Sequence, residues 1–161
     1  MIHSLYLADL KAKPAALRAV AQLLDTWVWP VVPGQRVLLT GMGSSWFAAD
    51  TAARRLRRAG VHAVADIASI DASFPPSADL AVVGISASGG SHETLSLLHA
   101  HHGTSTTIAL TNTPGLDLPA DHTVLMHAGP EPGGVACRSY VHTLIALLQL
   151  CLLYTSPSPR D

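Results

Sequence analysis

Short apolar runs punctuate this chain and lack the in–out alternation of a strand with one wet face. Arg36-Val-Leu-Leu-Thr40, Val61 to Asp66, Leu80-Ala-Val-Val-Gly-Ile85, Thr106-Thr-Ile-Ala-Leu110 and Thr123-Val-Leu-Met126 are the five examples. Uninterrupted hydrophobicity over so short a length suits strands of a parallel sheet covered on both faces. Between the runs lie longer stretches with helical spacing. Residues 10–28 predict a helix, with Pro14 in its first turn and Leu17, Val20, Ala21 and Leu24 along one side. Trp46 to Ala59, a stretch ending at His102, and a stretch from about Val135 to Leu150 predict three more. Residues 71–77 and 113–119 read as surface loops. Strands alternating with helices of ten or more residues imply βαβ crossovers. The expected fold class is therefore α/β, a three-layer, doubly wound, five-stranded parallel sheet.

Composition narrows the candidate roles. The 161 residues suffice for one domain; 48% are apolar, 5% aromatic and 13% charged. Ten Lys and Arg against eleven Asp and Glu give a formal charge of −1, so no broad field attracts nucleic acid or an anionic membrane. The basic cluster Arg54, Arg55, Arg57, Arg58 falls late in a predicted helix, where cations complement the dipole. Cys137 and Cys151 make no disulfide framework and suit a reducing cytoplasm. The start has no signal-peptide pattern, and the apolar run from Val141 to Tyr154 is short for a bilayer and broken by His142 and Gln149.

Ligands of open parallel sheets bind at the carboxyl ends of the strands. Two loops there combine glycine with serine just before a helix: Gly41-Met-Gly-Ser-Ser45 and Ser86-Ala-Ser-Gly-Gly-Ser91. Glycine lets backbone approach a ligand, hydroxyls donate hydrogen bonds, and helix N-terminal amides favour an anion. Either loop alone reads equally well as a cap and a turn; two on separate strands of one sheet point to a neutral phosphate cradle. The first loop lacks the third glycine of a dinucleotide fingerprint, and Trp46 would crowd a pyrophosphate. No Gly-Lys-Ser/Thr occurs, which removes a Walker-type loop.

These residues resemble the SIS, or sugar isomerase, domain family. Gly43-Ser44-Ser45 resembles the Gly-Thr-Ser turn in the isomerase half of glucosamine-6-phosphate synthases. Ser86-Ala-Ser-Gly-Gly-Ser-His-Glu-Thr94 is similar to the Ser-x-Ser-Gly-x-Thr signature. Ala128-Gly-Pro-Glu131, leading to Val135, is similar to the family's Ala-Gly-x-Glu-x-Gly-Val-Ala segment, and the stretch through Pro14-Ala-Ala-Leu17 resembles a lead-in helix. The resemblance implies a flavodoxin-like SIS fold, with a lead-in helix over 1–30 and the phosphosugar-binding domain over 31–150. It implies that Ser86, Ser88 and Ser91 hold a sugar phosphate, aided by amides around Ala87 and Gly89. Ser44 and Ser45 would contact the ligand from the neighbouring loop, and Gly134 or Val135 would approach the sugar's reactive end. Ala87, Gly90 and Arg138 stand where glutamine, glutamate and lysine are common, and so point to a relative with altered substrate.

The implied function is binding of a hexose or hexosamine phosphate, as the first half of a two-SIS-domain aldose/ketose-phosphate isomerase or amino-sugar-phosphate deaminase or deglycase. The alternative is a non-catalytic phosphosugar sensor. The resemblance also implies a homo-oligomer and no cofactor, and places the family's catalytic Glu, His and Lys beyond this segment. No catalytic residue is therefore assigned. Glu93 suits a helix start, His99, His101 and His102 a solvated helix end rather than a metal site, His127 a structural hydrogen bond, and Cys137 helix packing. Residues 151–161 resemble a translated sequencing adapter, so the natural chain is expected to continue past Leu150.

Overall fold

A computed structural model describes residues 2–155. Five strands form one sheet: β1 (Arg36–Gly41), β2 (Ala63–Ile67), β3 (Leu80–Ile85), β4 (Thr106–Thr111) and β5 (His122–Leu125). Every neighbouring pair is parallel and the order is β2-β1-β3-β4-β5. The helices are α1 (Ile2–Val20), α2 (Ser44–Arg58), α3 (His92–His101) and α4 (Arg138–Thr155). The doubly wound α/β fold read from the apolar runs is the one observed.

The apolar runs are apolar because both faces of the sheet are covered. Toward α2 and α4 point Val37 and Leu39 of β1, Val83 and Ile85 of β3, and Ile108 and Leu110 of β4. On α2 the small residues Ala48, Ala49, Ala52 and Ala53 meet them, while Ala146, Leu147, Leu150 and Cys151 do so from α4. The opposite face sets Leu38, Val82 and Ala109 against Leu97 and Leu98 of α3, with Phe74 from the β2–β3 connection. All six β3 residues are buried, as expected of a central strand. Among the described residues no helix is long and apolar enough to cross a membrane.

Three local expectations are corrected. α1 begins near residue 2 and ends at Val20, so Pro14 lies inside the helix rather than in its first turn. The segment after it instead breaks into a short 3-10 turn, Leu24–Thr26. There Trp27 and Trp29 bury their rings, the Trp27 indole N–H donating to the Leu125 carbonyl at 2.7 Å; tertiary packing outweighs the helical periodicity. α4 runs on through residues 151–155. That is past the expected helix end at Leu150, with Cys151 at 1% exposure and its thiol 3.7 Å from the Ala52 carbonyl; 156–161 lie outside the described residues. The third correction concerns the histidines. His99 and His102 are exposed, but His101 is 2% exposed, with Nδ1 3.4 Å from the Ser105 hydroxyl.

Burial lowers the His101 pKa below its ordinary 6.5. The unfolded chain therefore takes up this proton at a higher pH than the folded chain does. Stability should fall as pH drops below about 6.5. Denaturant unfolding at pH 7.5 and 5.0 is expected to show that loss, with a flatter pH dependence for His101→Asn than for the wild type.

Candidate functional site

The strand order reverses at the centre of the sheet. β1 sends the chain outward to β2, whereas β3 leads on to β4 and β5. The helix after β1 packs on one face and the helix after β3 on the other. The loops that follow β1 and β3 therefore part at adjacent strand ends and leave a crevice between them. Gly41 lets those ends approach: a Cβ there would sit 2.8 Å from Ser45 Cβ and 2.9 Å from the Ile85 carbonyl oxygen.

A cleft of about 470 Å³ opens at this point. The first loop contributes Met42 and Ser45; the second contributes Ser86, Ala87, Ser88 and Ser91. Gly134, Val135, Ala136 and Ser139 close the far side, and Asn112 and Thr113 supply the β4 edge. Seven of the nine residues expected at the site thus share one cavity. The other two do not line it. Ser44 is exposed at the start of α2. Gly89 turns the second loop at φ 69°, buried against Leu116, and spends its N–H on the Ser86 carbonyl at 3.0 Å.

The second loop is fixed by its own polar atoms. The Ala87 carbonyl accepts from the Asn112 amide at 2.9 Å, from the Thr111 hydroxyl at 3.3 Å and from the Thr113 hydroxyl at 3.4 Å. In a trans peptide the next N–H points opposite to the carbonyl, so the Ser88 amide is directed away from β4. The Ser86 hydroxyl accepts from the Ser91 amide at 3.3 Å, and the Ser88 hydroxyl from the Gly90 amide at 3.2 Å. Accepting leaves the hydrogen of each hydroxyl to be donated. Ser91 caps α3: its oxygen accepts from the Thr94 amide at 3.4 Å and from the Thr94 hydroxyl at 3.0 Å. Its own proton goes to the Glu93 carboxylate at 3.2 Å. Glu93 is thereby a helix-start carboxylate, in keeping with its position.

Glu131 is the one carboxylate among the lining residues, which include no Lys, Arg or His. One of its oxygens accepts from the Cys137 amide at 2.8 Å and from the Arg138 amide, the other from the Ser139 amide at 3.3 Å and the Ser139 hydroxyl. It caps α4, and all the amides it takes belong to that helix start. Arg138 turns away from the cleft to meet Asp9 at 3.2 Å, so it does not take a lysine's place at a ligand. Cys137 is buried at 6% exposure. His127 is exposed with φ 54° and lies in a neighbouring hollow with Leu125 and Pro114. Among the described residues no group of three potential metal ligands is found.

Sequence reasoning missed Asn112. Its side-chain N–H donates to the Gly129 carbonyl at 2.8 Å and its side-chain oxygen accepts from the Ala128 amide at 2.8 Å. The residue binds the end of β4 to the loop that leads to Glu131. Thr111-Asn-Thr113, a polar triplet at a strand's carboxyl end, was the available signal. Glu131 was visible only as part of a motif, without its role.

A doubly wound α/β domain with a hydroxyl- and amide-lined cleft, free of Lys, Arg and His, at its switch point is thus defined. Residues 33–153 match the SIS domain family, and the chain belongs to it. It is 32% identical over 153 residues to the isomerizing glutamine–fructose-6-phosphate aminotransferase of Aeropyrum pernix, covering 91% of this chain and 24% of that protein. Among solved structures, it resembles the C-terminal domain of the glucosamine-fructose-6-phosphate aminotransferase from Francisella tularensis (TM-score 0.76, 19% identity, 94% of this chain and 48% of that one). It also resembles the glucosamine-6-phosphate deaminase from Thermotoga maritima (TM-score 0.73, 17% identity, 98% and 50%). The chain therefore spans about a quarter of the curated relative's length and about half of these two structures.

Replacing Asn112 with alanine should strip two loop hydrogen bonds at once. The expected loss is about 1–3 kcal/mol in urea unfolding, with faster amide exchange at Ala128 and little change in the β1 and β3 amides.

Proposed function

We propose that the cleft binds the phosphate of a hexose or hexosamine phosphate, and that the chain acts as the first half of a two-SIS-domain phosphosugar enzyme. An aldose/ketose isomerase or an amino-sugar-phosphate deaminase or deglycase is the reaction class. The observation that carries this reading is the fixed Ala87 carbonyl. It turns the Ser88 amide away from β4, beside two serine hydroxyls whose protons are free to donate and above the N-terminus of α3. Such preset donors solvate a phosphate without a cation. Ser86 and Ser88 then supply the hydroxyls of the phosphate side and Ala87 sets the Ser88 amide, with Ser45 lining the cleft from the first loop. Ser91 acts through its amide, which holds the Ser86 hydroxyl, and Ser44 stands outside the cleft. Gly89 contributes by shaping the turn, while Gly134 and Val135 face the sugar.

The curated relative and the two solved structures act, by their names, on phosphorylated hexoses or hexosamines, which is the expected ligand class. Catalytic proton transfer has to come from groups other than these, because Glu131 is consumed by the start of α4. That same observation favours a second reading, a phosphosugar-sensing module that binds without turnover. Exposed Leu148 and Leu153 on α4 fit pairing with a further SIS domain or a second copy in a homo-oligomer.

Thermal unfolding with and without glucosamine-6-phosphate or fructose-6-phosphate tests the binding claim. At about 100 times Kd a ligand adds about 2.7 kcal/mol. For a chain of 161 residues this raises Tm by roughly 5–10 °C. Ser86→Ala/Ser88→Ala should abolish the shift; a full shift in that variant rejects the site. Turnover of either sugar by the full-length protein separates the enzyme from the sensor.

A further inference from the structure

The far wall of the cleft, Pro130 to Ala136, is not carried by a strand. It hangs between β5 and α4, and α1 holds it. Gly133 is buried, and its N–H donates to Asp9 Oδ2 at 2.8 Å. Its fit to the helix is close: a Cβ on Gly133 would lie 2.7 Å from Tyr6 Cα and 2.7 Å from Asp9 Oδ2. The other Asp9 oxygen accepts from Arg138 Nη2 at 3.2 Å. That same nitrogen donates to the Pro130 carbonyl. One carboxylate on α1 thus holds the wall at Gly133 directly and at Pro130 through a guanidinium. The Asp9 and Arg138 side chains are only 5% and 14% exposed. Yet α1 lies outside residues 33–153, the part that matches the family.

We propose that α1 is a working part of the phosphosugar site, with Asp9 the positioning residue that holds the Pro130–Ala136 wall against the bound ligand. The inference rests on the ligand reading given under Proposed function. A buried ion pair is a poor source of net stability, because desolvation offsets most of the attraction. It is a good source of geometry, since both partners must find each other to stay charged in the interior. Asp9 therefore contributes a fixed wall more than a stable fold. Linkage makes the effect mutual: a ligand that needs the wall in place also favours the docked helix.

Removing Asp9 alone would strand a buried guanidinium, so the informative variant is Asp9→Leu/Arg138→Met. Its apolar side chains avoid an unpaired buried charge, while Gly133 N–H and the Pro130 carbonyl lose their partners, so Tm falls modestly. Hydrogen exchange should quicken at least ten-fold at Gly133, with β1, β3 and β4 amides unchanged. Calorimetric Kd for glucosamine-6-phosphate or fructose-6-phosphate should weaken about ten-fold, the loss of one charge-assisted bond. Asp9→Asn/Arg138→Met, which keeps one side-chain oxygen for Gly133 and leaves no unpaired guanidinium, should fall between. It also decides the matter on the same two measurements if the first variant does not fold. Unchanged exchange at Gly133 together with unchanged Kd overturns the proposal. If the wild type binds neither sugar phosphate, the ligand reading fails by itself. Exchange at Gly133 then still decides whether α1 holds the wall, and unchanged exchange refutes it.

Discussion

The site depends on how one carbonyl, that of Ala87, is spent. Three donors from the end of β4 converge on it, and a peptide plane has no freedom to turn its N–H independently of its C=O. Fixing the acceptor therefore fixes the donor beyond it. The hydroxyls of Thr111 and Thr113 do not need to touch a ligand to shape its site; they act through the plane they hold. A loop of glycine and serine, which would otherwise sample many conformations, is thereby held in one.

The same economy recurs at the α4 start. Helix N-termini attract anions, and a domain with several of them around one cleft could bind negative charge indiscriminately. Here Glu131 occupies the α4 amides itself, whereas the Ser86 and Ser88 hydroxyls in the loop after β3 keep protons to donate. The cleft is thus polarised: one end offers hydroxyls and an amide, the other a carboxylate already occupied by hydrogen bonds from the start of α4. A ligand with a single anionic end and a neutral polyhydroxyl body matches that asymmetry better than one charged at both ends.

Much of the fold was legible because burial on both faces leaves a plain record in sequence. Val37 to Leu39 and Leu80 to Ile85 could hardly be anything but strands of a covered sheet, and the glycine and serine loops marked the carboxyl edge. What escaped was long-range. Residues 21–28 look helical in isolation, but Trp27 and Trp29 gain more by burying their rings beside β5 and α4. His101 reads as a solvated helix end until α3 is laid on the sheet, where the same side chain is enclosed. Asn112 and Asp9 escaped for a related reason. Each binds atoms 16 or more residues away, and no local pattern encodes a partner at that distance.

Arg138 shows how far a correct motif can mislead about a side chain. Its position at the head of α4, beside a glycine-rich loop and a cleft, would suit a cation for an anionic ligand. In the fold its guanidinium is turned to the opposite side, where Asp9 and the Pro130 carbonyl receive it. A charge delivered to the cleft would have strengthened anion binding at any geometry. A charge spent behind the wall acts only through where it places the wall, so selectivity then rests on shape and hydrogen bonding. That choice fits a site built from hydroxyls and amides, in which donor direction decides what is bound.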